Sequence, residues 1–128
     1  MKNILKMVQK TINSKPLKKI LNLLNNKYKF EIIYYLGFKK MRFGDIKKNL
    51  GTITQQLLTK QLKQMEDNNL IIRKKYDGFP RKVEYSLTTL GRSLKPLINV
   101  MLKWEKNNSR KINYLFNQSF LDSIYDYY

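Results

Sequence analysis

The period of the hydrophobic pattern changes near residue 70, and this change constrains the fold more than any other feature of the chain. Before it, Leu58, Leu62 and Met65 recur at steps of four and three, which is the spacing of one helix face. After it, residues 83–87 alternate apolar and polar side chains, as a half-buried strand does. We therefore predict helices up to about residue 68 and a β-hairpin from about 70 to 87.

Two helices separated by a glycine turn are predicted directly before the hairpin. A helix of about two turns is indicated by apolar residues at helical spacing: Phe43, Ile46 and Leu50. Gly51 follows it, and Thr54 is a good N-cap for the next helix, because a threonine oxygen can accept a hydrogen bond from a first-turn N–H. A short helix, a glycine turn and a longer helix form a helix-turn-helix pattern, here over about 43–68.

The predicted hairpin has a strand at 70–76, a loop at 77–82 and a returning strand at 83–87. Asp77-Gly78 lies in the connection and supports a hairpin, because glycine adopts a positive φ without steric cost. A hairpin directly after a helix-turn-helix is a wing. The expected fold class is therefore mainly α with a small β-hairpin (α+β), a single winged helix-turn-helix domain over 1–128.

Helical patterns also flank this core, at about 17–24, 28–36, 4–12 and 89–127. Pro96 lies inside the last pattern and is expected to kink or break the helix. The apolar faces of the two terminal patterns would aggregate if they were exposed together, so we expect them to pack against a second copy of the chain. The residues predicted at this dimer interface are Leu5, Val8, Ile12, Leu97, Met101, Trp104, Phe120 and Ile124.

Four aromatic residues are expected to pack in the core, with a small-molecule pocket as the alternative: Tyr34, Tyr35, Phe38 and Trp104.

The charge of the chain indicates an acidic partner. Lysine and arginine number 26 against 9 acidic residues, for a net charge of +17, and such a field favours nucleic acid or an anionic membrane surface. AT-rich coding DNA also enriches lysine, so charge alone does not decide between partners.

The absence of cysteine and histidine excludes disulfides, thiolate zinc sites and histidine-based acid–base catalysis. We expect no enzyme, metal or cofactor. Without a signal peptide or a long apolar run, we expect a cytoplasmic protein.

From about Pro16 to Trp104 the chain resembles the HxlR family of winged-helix transcriptional regulators. The most specific match is Pro80-Arg81-Lys82-Val83-Glu84-Tyr85-Ser86-Leu87-Thr88, with Gly91 and Leu94 beyond it. The resemblance also covers the Arg42-Phe43 motif and the predicted recognition helix. It implies a dimer built from terminal helices that binds DNA. A small-molecule effector is left open, and the sequence identifies none.

The chain departs from the family pattern in three places. Asn25-Asn26-Lys27-Tyr28 stands where the family usually has Gly-Gly-Lys-Trp, and Arg81 replaces what is often a second proline. The N-terminal cysteine that some relatives use for sensing is absent. Thiol-based regulation is therefore not implied for this chain.

The predicted DNA-contacting residues lie on the polar face of the second helix of the motif, on the wing and at the front of the motif. Glutamine pairs with adenine, lysine reaches guanine or phosphate, and the threonine methyl group contacts thymine. We expect base contacts from Gln55, Thr59 and Lys60, and backbone or minor-groove contacts from the wing. The full set is Arg42, Thr54, Gln55, Gln56, Thr59, Lys60, Lys63, Lys74, Lys75, Arg81 and Lys82.

Two other functions remain open at this point. A basic RNA- or ribosome-associated protein would use the same charge and aromatic residues for phosphate binding and stacking. A winged helix that only contacts proteins would need no basic recognition face. The interpretation that we favour is a sequence-specific transcriptional regulator that binds double-stranded DNA as a homodimer.

Overall fold

The computed structural model describes the backbone of residues 2–11 and 13–127, and the side chains of residues 3–7 and 13–113. The helices are α1 (Lys2–Thr11), α2 (Lys15–Leu23), α3 (Lys27–Leu36), α4 (Phe43–Leu50), α5 (Gln55–Asp67), α6 (Thr89–Arg92) and α7 (Lys95–Tyr127), and the strands are β1 (Ile71–Tyr76) and β2 (Lys82–Leu87). The chain divides into two compact units, Met1–Arg92 and Ser93–Tyr128. None of the helices in the described part is long and apolar enough to cross a membrane. The predicted fold class, mainly α with one hairpin, is confirmed.

The turn between α4 and α5 forms as the sequence predicts. Gly51 has a φ of 79°, a conformation that an L side chain rarely adopts. The Thr54 Oγ1 atom accepts a hydrogen bond from the Leu57 N–H at 3.1 Å and so caps the N-terminus of α5. These two local features fix where α4 ends and where α5 begins.

The core of the first unit lies among α3, α4, α5 and the base of the hairpin. The predicted α5 stripe is buried, with Leu58, Leu62 and Met65 almost inaccessible to solvent. Ile32, Ile33 and Ile46 are buried as well and come from α3 and α4. Because this core holds the inner face of α5, the opposite face of the helix remains on the surface.

The hairpin is antiparallel, with a register that runs from Ile71 opposite Leu87 to Tyr76 opposite Lys82. Its first strand begins one residue later than predicted, because the Leu70 N–H still bonds to the Met65 carbonyl at the end of α5. Met41 pairs with Tyr85 through two backbone hydrogen bonds of 3.0 and 2.8 Å. The segment before α4 is therefore attached to the outer edge of β2.

Helix α6 closes the base of the hairpin through Thr88. The Thr88 hydroxyl donates a hydrogen bond to the Asn69 carbonyl at 2.6 Å and accepts one from the Gly91 N–H at 2.9 Å. The helical pattern predicted over about 89–127 is not one helix, since α6 ends at Arg92 and α7 begins at Lys95. Pro96 lies in the first turn of α7, where the missing N–H costs no helical hydrogen bond.

Several apolar side chains lie on the surface instead of in the core. Tyr34 and Phe38 are exposed and pack edge to face with a ring separation of 5.1 Å. Trp104 is exposed too. The expectation that these aromatic residues pack in the core is therefore wrong for three of the four, and only Tyr35 is half-buried. Helix α2 also has exposed apolar residues: Leu17, Ile20 and Leu21.

Candidate nucleic-acid interface

The exposed face of α5 carries the residues predicted to contact bases. Gln55, Gln56, Thr59 and Lys60 are all exposed, and they lie in the first two turns of the helix. The Thr59 hydroxyl donates to the Gln55 carbonyl at 2.8 Å. Because that hydroxyl is used inside the helix, the methyl group is the part of Thr59 best suited to an external contact.

Lys63 also lies on this face, but its charge is partly compensated. Its ammonium forms an ion pair with Asp67 at 3.0 Å, one helical turn further on. The hydrogen bond to Asp67 and the charge of that carboxylate raise the pKa of Lys63. Both side chains are largely exposed, so the pair contributes little to stability. The Asp67 carboxylate nevertheless lowers the positive potential around the Lys63 ammonium.

Lys29 is a cation that sequence reasoning missed. Its side chain is only 2% exposed, and its Nζ atom donates to the Asn25 Oδ1 atom at 2.9 Å. Burial lowers the pKa of Lys29, and the positive charge of Lys60 lowers it further. The spacing could have revealed this burial, since Lys29 shares a helix face with Ile32, Ile33 and Leu36 at steps of three and four.

One face of the hairpin holds a network of four side chains. The Lys82 ammonium pairs with Glu84 at 2.8 Å, and the Tyr76 hydroxyl donates to the same carboxylate at 3.3 Å. Lys74 and Lys82 both lie over the Tyr76 ring, at 4.9 and 5.5 Å from its centre. The hydrogen bond from Lys82 lowers the pKa of Glu84. This network ties the two strands together, and it compensates much of the charge of Lys82.

The other face of the hairpin borders a groove beside α5. Arg73 and Lys75 lie on this face, together with Val83 and Tyr85, because alternate residues of a strand share a face. The groove has a volume of about 520 Å³. Its walls come from α4, α5 and the hairpin: Phe43, Gln55, Thr59, Leu62, Lys63, Glu66, Arg73, Val83 and Tyr85. Arg73, which sequence reasoning placed only as a strand residue, therefore lies with the proposed base-reading residues.

Two further predicted DNA contacts, Arg42 and Arg81, are not among the residues that line the groove. Arg42 is exposed and occupies the position just before α4, where its side chain makes no capping hydrogen bond. Arg81 is exposed in the loop between the strands. Between residues 39 and 82 basic residues outnumber acidic ones 12 to 4. The described residues contain no group of three metal-ligating side chains.

The residues predicted at a dimer interface are described only in part. Leu5 in α1 is exposed, as are Leu97, Met101 and Trp104 in α7. Ile12 and the side chains of Val8, Phe120 and Ile124 lie outside the described residues. The first four therefore remain candidates for a contact with another molecule.

Comparison with known families decides what kind of protein carries this surface. The model of the HxlR-like helix-turn-helix family matches residues 23–113. The chain belongs to the HxlR-like helix-turn-helix family. The match includes the groove, the hairpin and the exposed face of α5, and the resemblance inferred from the sequence motifs is confirmed.

Individual HxlR-like relatives agree with this assignment. The chain is 44% identical over 90 residues to the uncharacterized HTH-type transcriptional regulator YdzF of Bacillus subtilis, covering 70% of this chain and 83% of that protein. It is 39% identical over 100 residues to the uncharacterized HTH-type transcriptional regulator BH0655 of Halalkalibacterium halodurans, covering 77% and 88%. The solved structure of the redox regulator HypR in its reduced form matches with a TM-score of 0.74 and 33% identity, over 78% of this chain and 99% of that one. The protein is thus a helix-turn-helix transcriptional regulator.

Proposed function

We propose that this regulator binds double-stranded DNA sequence-specifically, with α5 in the major groove and the hairpin on the neighbouring backbone or minor groove. The observation that carries the proposal is the pairing of an exposed polar face on α5 with a cationic hairpin across one groove. A major groove admits a single helix, and the adjacent strand of phosphates then meets the wing. Such a protein would act in the cytoplasm, where it would meet the DNA.

The roles of the individual residues follow from their surroundings. Gln55, Thr59 and Lys60 are the base-reading residues, because they lie on the exposed face of the first two turns. Thr54 and Gln56 lie at the N-terminus of α5, where backbone N–H groups and the helix dipole favour a phosphate. The remaining contacts are to the DNA backbone or minor groove, and they come from Arg42, Lys63, Lys74, Lys75, Arg81 and Lys82.

A homodimer is the second part of the proposal. Exposed apolar side chains on α1 and α7, such as Leu5, Met101 and Trp104, would be covered by the same faces of a second copy. Two copies related by a two-fold axis would present two α5 helices to successive major grooves. The DNA site is then an inverted repeat with half-sites about one helical turn apart.

Selection of bound duplexes from random DNA tests the proposal and supplies an operator for quantitative work. Q55A, T59A and K60A should each change the preferred sequence and weaken operator binding by about 5- to 150-fold, the equivalent of a lost base contact. R81A and K75A should weaken all duplexes alike and make the salt dependence shallower. K18A changes an exposed lysine of α2 outside the interface and serves as the control.

Two results would reject the proposal. Equal affinity of the wild-type protein for single-stranded RNA and for duplex DNA would favour an RNA-associated function. Unchanged sequence preference in all three α5 variants, in the presence of duplex binding, would show that another surface reads the bases.

A further inference from the structure

Phe79 is the outermost apolar residue of the hairpin. The last strand pair is Tyr76 with Lys82, which leaves a loop of five residues with Phe79 at its centre. The side chain of Phe79 is fully exposed, with a relative accessibility of 102%. Gly78 before it has a φ of 132°, a conformation that favours glycine. The backbone therefore turns at this point in a way that leaves the phenyl ring in solvent.

The hairpin that carries Phe79 has a net positive charge. The hairpin from 71 to 87 contains five basic residues, Arg73, Lys74, Lys75, Arg81 and Lys82, against Asp77 and Glu84. Within the described part of the chain, neither Lys75 nor Arg81 forms an ion pair, whereas Lys82 is held by Glu84. The phenyl ring thus stands at the end of a positively charged arm.

We propose that Phe79 enters the DNA minor groove as an apolar wedge and bends the duplex next to the site that α5 reads. The inference rests on the proposed function, because the wing meets a minor groove only when α5 occupies the adjacent major groove. The six strand pairs extend the loop roughly 17 Å beyond the base of the hairpin, a length that can pass one phosphate backbone. Cations next to a minor groove meet its strong negative potential, and the sugar walls and base steps accept an apolar ring.

The surroundings of Phe79 favour DNA over a protein surface as the partner that this side chain contacts. A stable protein–protein interface buries about 1,200–2,000 Å² in total, and Phe79 is the one large apolar residue of the described loop at 77–81. A single ring on a hairpin of net positive charge fits a polyanion with apolar clefts better than it fits an apolar protein patch. The wedge would also make the protein prefer DNA sites with a pyrimidine–purine step at the point of insertion, because such steps unstack easily. No hydrogen bond to a base would be needed at that position.

The test compares the full-length wild-type protein with F79A, F79L and F38A on the selected operator. F79A should weaken binding by about fivefold or more and should reduce the bend, measured by energy transfer between dyes at the duplex ends, by about 20° or more. F79L should keep most of both effects because it retains an apolar wedge. F38A removes another exposed phenylalanine, outside the hairpin, and should change neither.

The salt dependence separates a wedge from a charge effect. The slope of log affinity against log salt should be the same for F79A and the wild type, because the substitution removes no charge. A wild-type protein that binds no duplex would overturn the proposed function. A wild-type protein that binds while F79A matches it in affinity and bend would overturn only the wedge. A change in sedimentation of F79A without DNA would also overturn it, because Phe79 would then pack against a second copy.

Discussion

Gly91 occupies a position where even a methyl group has no room. A Cβ atom added there would collide with the Leu70 carbonyl oxygen and would lie 3.3 Å from the Leu87 Cδ2 atom. The Leu70 carbonyl cannot move alone, because it accepts the Thr88 N–H hydrogen bond at 3.1 Å. The substitution Gly91→Ala must therefore displace backbone at the junction of α5, the hairpin and α6.

The expected cost of Gly91→Ala follows from these contacts. Overpacking of a buried site costs about 1–3 kcal/mol, and weakening of the Leu70–Thr88 hydrogen bond adds about 1 kcal/mol. The better helix propensity of alanine returns up to about 1 kcal/mol. We expect the free energy of unfolding to fall by about 2 kcal/mol, or roughly 8 °C in Tm for a chain of this length.

Two other glycines provide matched controls for the same substitution. Gly44 is exposed in α4 and has no atom within 4 Å of an added Cβ, so Gly44→Ala should be neutral or stabilising by up to about 1 kcal/mol. Gly51 also has open space, but its φ of 79° and ψ of −99° form a conformation that L residues rarely adopt, so Gly51→Ala should cost about 1–3 kcal/mol through backbone strain alone. Urea denaturation followed by circular dichroism, at one protein concentration, should show G44A at or above wild-type stability and both G51A and G91A below it. G91A as stable as the wild type would refute the argument from close approach.

Two further predictions concern the buried cation and the second copy. Lys29→Met should raise the free energy of unfolding by roughly 1 kcal/mol at neutral pH, because the buried ammonium has one amide partner and is repelled by Lys60. The control K18M, which changes a surface lysine, should leave the free energy of unfolding unchanged. Since the folded-state pKa of Lys29 is lowered, the unfolded chain binds more protons between that pKa and about 10.5, so wild-type stability should rise with pH across this window. A pH series of denaturation curves on which K29M shows the same rise would contradict this. The double substitution M101E/W104E should shift the protein from dimer to monomer in sedimentation and lower operator affinity, while the helical circular dichroism signal persists. K103E, on the same helix, is the control and should leave the dimer intact. An unmodified protein that is monomeric at micromolar concentration and still binds DNA tightly would reject the dimer.

Local signals made much of the fold predictable from the sequence. The α5 stripe, the Thr54 cap and the Gly51 turn involve neighbours along the chain, and each forms as expected. The interruption between α6 and α7 is harder to predict, because Leu90, Leu94 and Leu97 keep helical spacing in the sequence although α6 ends at Arg92 and α7 begins at Lys95. The pairing of Met41 with Tyr85 joins residues far apart in sequence, and no periodic pattern carries that information.

The electrostatic detail of the candidate interface needs the structure for a related reason. A count of basic residues treats Lys60, Lys63, Lys75 and Lys82 as equivalent. The structure separates them, because helical spacing brings Asp67 to Lys63 and strand alternation brings Glu84 to Lys82. Each phosphate neutralised contributes about −0.9 to the salt slope of duplex binding, so compensated lysines should contribute less than their number suggests. Under the proposed function, phosphate contacts should therefore depend most on cations without such a carboxylate partner among the described residues, such as Lys75 and Arg81.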